Sequence, residues 1–157
     1  STQRPWLWFL HADSVVTRTV VEALELELAG AQWGRFDITL SRDTPWFRLI
    51  AAAMNKRSAM TSICTGDQGI FVRRALLERI GGIPDQPLME DIELSKRLRR
   101  IAKPTRIRTV LGTSSRRWEN HGTVRTILLM WELRLRYFLG ASPEVLAARY
   151  YPDGRRA

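Results

Sequence analysis

Apolar positions along the chain change their period several times, and each change marks an element. Trp6-Leu7-Trp8-Phe9-Leu10 is a continuous apolar run, the pattern of a strand buried on both faces, and it ends at His11-Ala12-Asp13-Ser14. Between Arg18 and Ala29, Val20, Val21, Leu24 and Leu28 recur at helical spacing, with Gly30 placed as the residue that follows the helix end. Trp33 to Leu40 switches to period two, with Phe36, Ile38 and Leu40 on one side and Arg35, Asp37 and Thr39 on the other, which predicts a strand. Thr44-Pro45 offers an N-cap and a first-turn proline before Trp46, Leu49, Ile50, Ala53 and Met54, which share one helical face; this helix is expected to end near Asn55.

Residues 56 to 64 read as a loop rising into Thr65-Gly66-Asp67-Gln68-Gly69, followed by a short strand Ile70-Phe71-Val72. Arg74 to Ile80 makes a brief helix stopped by Gly81-Gly82, with Pro84 beyond. After an Asp85-Gln86-Pro87 turn, Glu90 to Ile101 forms an amphipathic helix on Ile92, Leu94, Leu98 and Ile101, and a strand through Ile107 to Leu111 leads to Ser114-Ser115-Arg116-Arg117-Trp118. Thr123 to Leu139 is helical, amphipathic and rich in apolar residues. There is no internal repeat, low-complexity tract or linker, so one α/β domain over residues 1 to 157 is the simplest organisation.

Composition changes this picture in two places. The 25 basic and 16 acidic residues leave a net charge of +9, which favours an anionic partner: a nucleotide diphosphate, phospholipid headgroups or nucleic acid. Much of that charge lies in Lys96, Arg97, Arg99, Arg100, Lys103, Arg106, Arg108, Arg155 and Arg156, which serve equally as a solvated face or a binding patch. The single Cys64 excludes an internal disulfide and suits a reducing, cytoplasmic setting. No apolar stretch approaches the roughly 20 residues of a membrane-spanning helix, and no signal-peptide pattern opens the chain.

Two acidic motifs carry the candidate chemistry. An Asp at a strand's carboxyl end, as Asp13 is, can hold magnesium or manganese through hard carboxylate oxygens. A second carboxylate brought beside it could take a proton from an attacking hydroxyl. Each residue has a simpler role open to it: Asp13 as a turn residue, Glu90 and Asp91 as acidic groups at the positive end of a helix dipole, and His11 as a packed, hydrogen-bonded histidine.

Taken together, Phe9-Leu10-His11-Ala12-Asp13-Ser14, Gly66-Asp67-Gln68-Gly69-Ile70-Phe71, Ile80-Gly81-Gly82-Ile83-Pro84, Met89-Glu90-Asp91-Ile92-Glu93-Leu94-Ser95 and Arg116-Arg117-Trp118 closely resemble, in order, the motifs of family 2 glycosyltransferases. The resemblance covers roughly residues 6 to 150. It implies a GT-A fold, a Rossmann-like nucleotide-sugar transferase with a mixed central sheet flanked by helices. The Pro-rich opening motif is absent, so the chain is expected to be N-terminally incomplete, the C-terminal two thirds of such a domain. The implied activity is a hexosyltransferase-like transfer from a nucleotide-diphospho-sugar donor to an acceptor hydroxyl with inversion, dependent on a divalent cation, Mg2+ or Mn2+.

The resemblance makes Asp13 the metal ligand and Asp91 the base. His11 departs from the acidic residue usual at its position, and could still give the cation a nitrogen ligand or contact the donor. Gly66, Asp67, Gln68, Glu90, Arg116, Arg117 and Trp118 match substrate-contacting positions. His121 matches a late metal ligand of some relatives, with a surface histidine as its simpler reading. Processive synthases carry Gln three positions before the Arg of the Arg-Trp element, and this chain has Ser114 before Arg117, which argues against polymer synthesis. The acceptor is open and includes a lipid-linked one, because the 123–139 helix, with Val124, Ile127, Leu128, Met130, Trp131, Leu135 and Phe138 beside Arg125, Arg134 and Arg136, suits a peripheral contact with the inner membrane face. A core or dimer-interface helix explains the same pattern, and somewhat better. The reading from another class is a non-catalytic basic module that binds an anionic membrane or nucleic acid; it leaves the spacing of Asp13, Asp67 and Asp91 unexplained.

Overall fold

The computed structural model describes residues 4–114 and 123–151, without the side chains of residues 123 and 124. Its elements, in chain order, are β1 (Trp6–Trp8), α1 (Arg18–Leu28), β2 (Trp33–Leu40), α2 (Pro45–Thr61), a 3-10 turn (Gly66–Gln68), β3 (Phe71–Arg73), α3 (Arg74–Arg79), α4 (Glu90–Arg99), β4 (Thr105–Thr113), α5 (Thr123–Phe138) and α6 (Pro143–Tyr150). This is a mixed α/β chain. By internal contacts it forms two compact units, one of Ser1–Ile83 with Asp91–Ser115, the other of Pro84–Glu90 with Arg116–Ala157.

In the first unit four strands make an open sheet in the order β1-β3-β2-β4. β3 runs antiparallel to both β1 and β2, whereas β2 and β4 are parallel. The strands β1, β2 and β4 therefore all point the same way, and β3 starts where β1 ends, with Phe71 opposite Trp8 on one side and opposite Gly34, near the start of β2, on the other. Alternation of side chains divides the core between the two sheet faces. Trp6, Trp8, Phe36, Phe71, Ile107 and Leu111 pack on one face with Val20 and Leu24 of α1, while Leu7, Phe9, Ile70, Val72 and Trp33 pack on the other with Leu76 and Leu77 of α3 and Leu94 and Leu98 of α4.

Periodicity located α1 and β2 to within a residue, and the Thr17 and Thr44 side chains accept the N–H groups of Val20 and Phe47 as N-caps. Gly81 and Gly82 both take left-handed backbone after α3, with φ of 87° and 84°. Three expectations are corrected. β1 lies at the edge of the sheet and is only half-buried, its side chains partly covered on both faces instead of enclosed. α2 runs on through the expected loop to Thr61, because Asn55 does not end it: the Asn55 amide accepts from Ile38 N at 2.9 Å and donates to Ile38 O at 3.0 Å, beyond the point where β3 stops pairing with β2. Ile101 lies past the end of α4 and is exposed.

The polar side of β2 is the largest departure. Arg35 and Asp37 are buried, and form an ion pair that Arg106 of β4 joins with 2.7 Å from Nη2 to Oδ2. Arg35 also donates to Phe36 O at 3.0 Å and Asn55 O at 3.1 Å. In the second unit α5 and α6 pack together, and Glu132 of α5 pairs with Arg149 of α6 at 2.8 Å. α6 was not anticipated, although Ser142-Pro143 repeats the cap-and-proline signal of Thr44-Pro45, with Ser142 Oγ accepting Val145 N–H.

Candidate active site

The edge where β1 ends and β3 begins gathers chain segments far apart in sequence. Past β1, Phe9 N–H bonds to Ile70 O at 2.8 Å, and the His11–Ser14 turn closes through Ser14 N–H to His11 O at 3.0 Å. Val15 then bridges to Gly112 of β4, which ties the far side of the turn to the sheet. Next to it, Gly69 ends the 3-10 turn with φ of 57°, under the Trp8 indole, whose Nε1 donates to Gly69 O at 3.2 Å. A Cβ on Gly69 would come within 2.7 Å of Leu111 Cδ2, so glycine meets both the backbone and the space requirement here.

α4 holds this loop from the other side with two residues four apart on one helical face. Asp91 Oδ2 accepts the Gly66 N–H at 2.9 Å, while Oδ1 accepts Ile92 N–H at 2.7 Å. Ser95 Oγ accepts Cys64 N–H at 3.0 Å and donates to Cys64 O at 3.3 Å. Gly66 is also where His11 arrives: a Cβ there would stand 2.2 Å from His11 Nε2. His11, Gly66 and Asp91 thus form one contiguous group, with the glycine between the imidazole and the carboxylate. A carboxylate has about four lone-pair sites, so Asp91 keeps acceptor capacity after these two bonds, and it is only half-buried.

Asp13 is exposed on the turn, Asp67 is half-buried in the 3-10 turn, and Glu90 is exposed at the start of α4. Gln68, expected among substrate contacts, is instead wholly buried. Its Oε1 accepts Thr65 N–H at 3.2 Å and its Nε2 donates to Ser58 Oγ at 2.8 Å, while Ser58 Oγ donates to Asn55 O at 3.1 Å. Gln68 therefore builds the loop and does not face a ligand. Arg116, Arg117, Trp118 and His121 lie outside the described residues.

Among the described residues, no three His, Cys, Asp or Glu side chains stand together as a metal cage. Magnesium, however, usually takes one or two protein carboxylates and completes its octahedron with substrate phosphates and water. Asp13 on its exposed turn suits a cation that arrives with a diphosphate. Cys64 is not a nucleophile: burial pushes its thiol up to about 12, outweighing the nearby Arg35 and the Ser95 hydrogen bond. Nor is the α4 basic cluster a bare patch, since Lys96 and Arg97 pair with Glu93, Arg99 donates to Thr61 O and Arg106 binds Asp37. A surface cleft of about 410 Å³ lined by Gln32, Arg73, Leu76 and Arg79 lies at the opposite sheet edge and includes none of the candidates.

Sequence reasoning missed Ser58, Ser95 and Asn55, whose side chains fix the loop. A signal existed for Ser95, one helical turn after Asp91; Asn55 and Ser58 act across the fold, where local pattern is silent. No protein-family model, no curated protein and no solved structure matches the chain.

Proposed function

We propose that the α/β unit is of GT-A type and that the chain transfers a sugar from a nucleotide-diphospho-sugar to an acceptor hydroxyl with inversion. The observation that carries this reading is the meeting of His11, Gly66 and Asp91, from three of the resembling motifs, at the carboxyl edge of the sheet, where open α/β folds place ligands.

In this reading Asp91 is the base. The Gly66 and Ile92 amides hold its two oxygens, which fixes the carboxylate plane, and the remaining lone pairs take the proton of the acceptor hydroxyl as it attacks the anomeric carbon. Single displacement inverts that carbon. Asp13 would hold a divalent cation, which when bound offsets charge developing on the diphosphate leaving group. His11 and Asp67 line the donor side with Gly66, whose lack of a Cβ lets the imidazole lie against the loop. A buried thiol with an excess of basic residues fits a cytoplasmic enzyme at the inner membrane face.

The test is Asp91→Asn, which preserves volume and an oxygen for the Gly66 N–H but removes the basicity. Release of nucleoside diphosphate is expected to fall by about 10²–10⁴-fold, with donor affinity within about twofold. Wild-type turnover in this variant would remove Asp91 from the chemistry.

A further inference from the structure

Helix α5 carries two apolar faces, and only one of them is buried. At about 100° per residue, Thr126 and Leu133, both buried, mark one side of the helix. Diametrically opposite, Leu128, Trp131, Leu135, Phe138 and Leu139 fall within an arc about 100° wide, and each is between 57% and 78% exposed. An exposed apolar stripe this long marks a contact face.

The charges beside the stripe say what it contacts. Arg134 lies about 90° to one side of its centre, and Arg125 and Arg136 lie about 90–110° to the other, so arginines flank the stripe on both sides. Glu132, which also lies near that margin, is already matched by Arg136 and Arg149 at 2.8 Å each. Long arginine side chains can bury their stems beside apolar groups and lift their guanidinium groups to a charged plane, and Trp favours the boundary between hydrocarbon and headgroups. A second copy of the chain would fit the stripe but would set these arginines against one another in two molecules of charge +9. An anionic bilayer accommodates both the stripe and the arginines. With 16 residues, α5 is about 24 Å long, and no described helix is long and apolar enough to cross a membrane, so the helix would lie in the interface.

We propose that the α5 face bearing Leu128, Trp131, Leu135 and Phe138, with Leu139 just beyond it, inserts into the headgroup region of an anionic phospholipid bilayer, with Arg125 on its phosphates and the net positive charge of the helix margins facing the anionic surface. This proposal does not depend on the sugar-transfer chemistry. It specifies the helix face that would make the membrane contact and the lipid charge it requires.

The experiment is co-sedimentation of the full chain with vesicles of phosphatidylcholine containing about one third phosphatidylglycerol, an anionic surface of the kind basic segments read, and with vesicles of phosphatidylcholine alone. Binding is expected to the anionic vesicles, weakened by salt. The exposed double substitution Trp131→Glu with Leu135→Glu should lower affinity by about tenfold or more while leaving the circular dichroism spectrum unchanged. Arg125→Gln should lower it by about fivefold, the factor for one surface arginine. Equal binding to neutral vesicles, undiminished binding by the folded double variant, or no vesicle binding by a chain whose dimer that variant dissociates would each overturn the proposal.

Discussion

Replacing Asp37 with Asn removes one negative charge and almost no volume from the centre of the sheet. The Arg35 side chain facing it is 1% exposed, and of its three acceptors, Asp37, Phe36 O and Asn55 O, only the carboxylate carries charge. Arg106 is 39% exposed and can turn back to water; Arg35 cannot. Breaking a buried pair by removing one partner costs about 3–5 kcal/mol, against about 5–15 kcal/mol for the stability of a typical domain. With a urea m-value of about 2 kcal/mol/M, the unfolding midpoint should fall by about 2 M. The double variant Arg35→Met with Asp37→Leu replaces the pair with apolar groups and should recover to within about 1 kcal/mol of wild type.

The same pair makes a pH signature. Burial alone would raise the Asp37 pKa, but hydrogen bonds and charge from Arg106 and Arg35 outweigh it and hold the carboxyl below the usual range. A group with a lowered folded pKa contributes stability that is present above its unfolded value, about 3.9, and is lost as pH falls through the folded value. Wild type should therefore lose stability below about pH 4 more steeply than Asp37→Asn. Urea titrations at neutral and acid pH, followed by circular dichroism, measure both effects. A loss under about 1 kcal/mol in Asp37→Asn at neutral pH, far short of the cost of an uncompensated buried charge, would refute the reasoning.

Two further substitutions separate the loop's architecture from its contacts. Gly66→Ala should change the unfolding midpoint little, because the backbone there is not left-handed and the obstacle is the movable His11 imidazole 2.2 Å from the new Cβ; displacing His11 should still weaken nucleotide-sugar binding, and unchanged calorimetric affinity would show that His11 plays no part. Gln68→Ala should cost about 1–3 kcal/mol in urea unfolding, since Thr65 N–H and Ser58 Oγ lose a buried partner, and a stable variant would mean that the loop is held from α4 alone.

What was legible in the sequence follows the range over which each signal acts. α1, β2 and α3 were readable because period, cap and glycine stop lie within a few residues of one another. The end of α2 was not, because Asn55, a common helix-ending residue, is used by Ile38 on another element. The apolar run of β1 resembles that of an enclosed strand, and only the strand order puts it at the edge. The polar side of β2 holds a buried ion pair completed by Arg106, sixty-nine residues from Asp37, and period two cannot tell a solvated polar face from an internally paired one. At the candidate site, the resemblance selected His11, Gly66 and Asp91, and the fold supplied their adjacency. It also moved Gln68 from ligand contact to interior support.

The central claim is that the edge around His11, Gly66 and Asp91 receives a nucleotide sugar together with a divalent cation held by Asp13. Calorimetric titration of the chain with a panel of nucleotide-diphospho-sugars, first with manganese and then with chelator, tests it most directly. The account predicts saturable binding of at least one donor that chelator abolishes and that Asp13→Ala loses. Absence of binding across the panel, or binding indifferent to both chelator and Asp13→Ala, would contradict it.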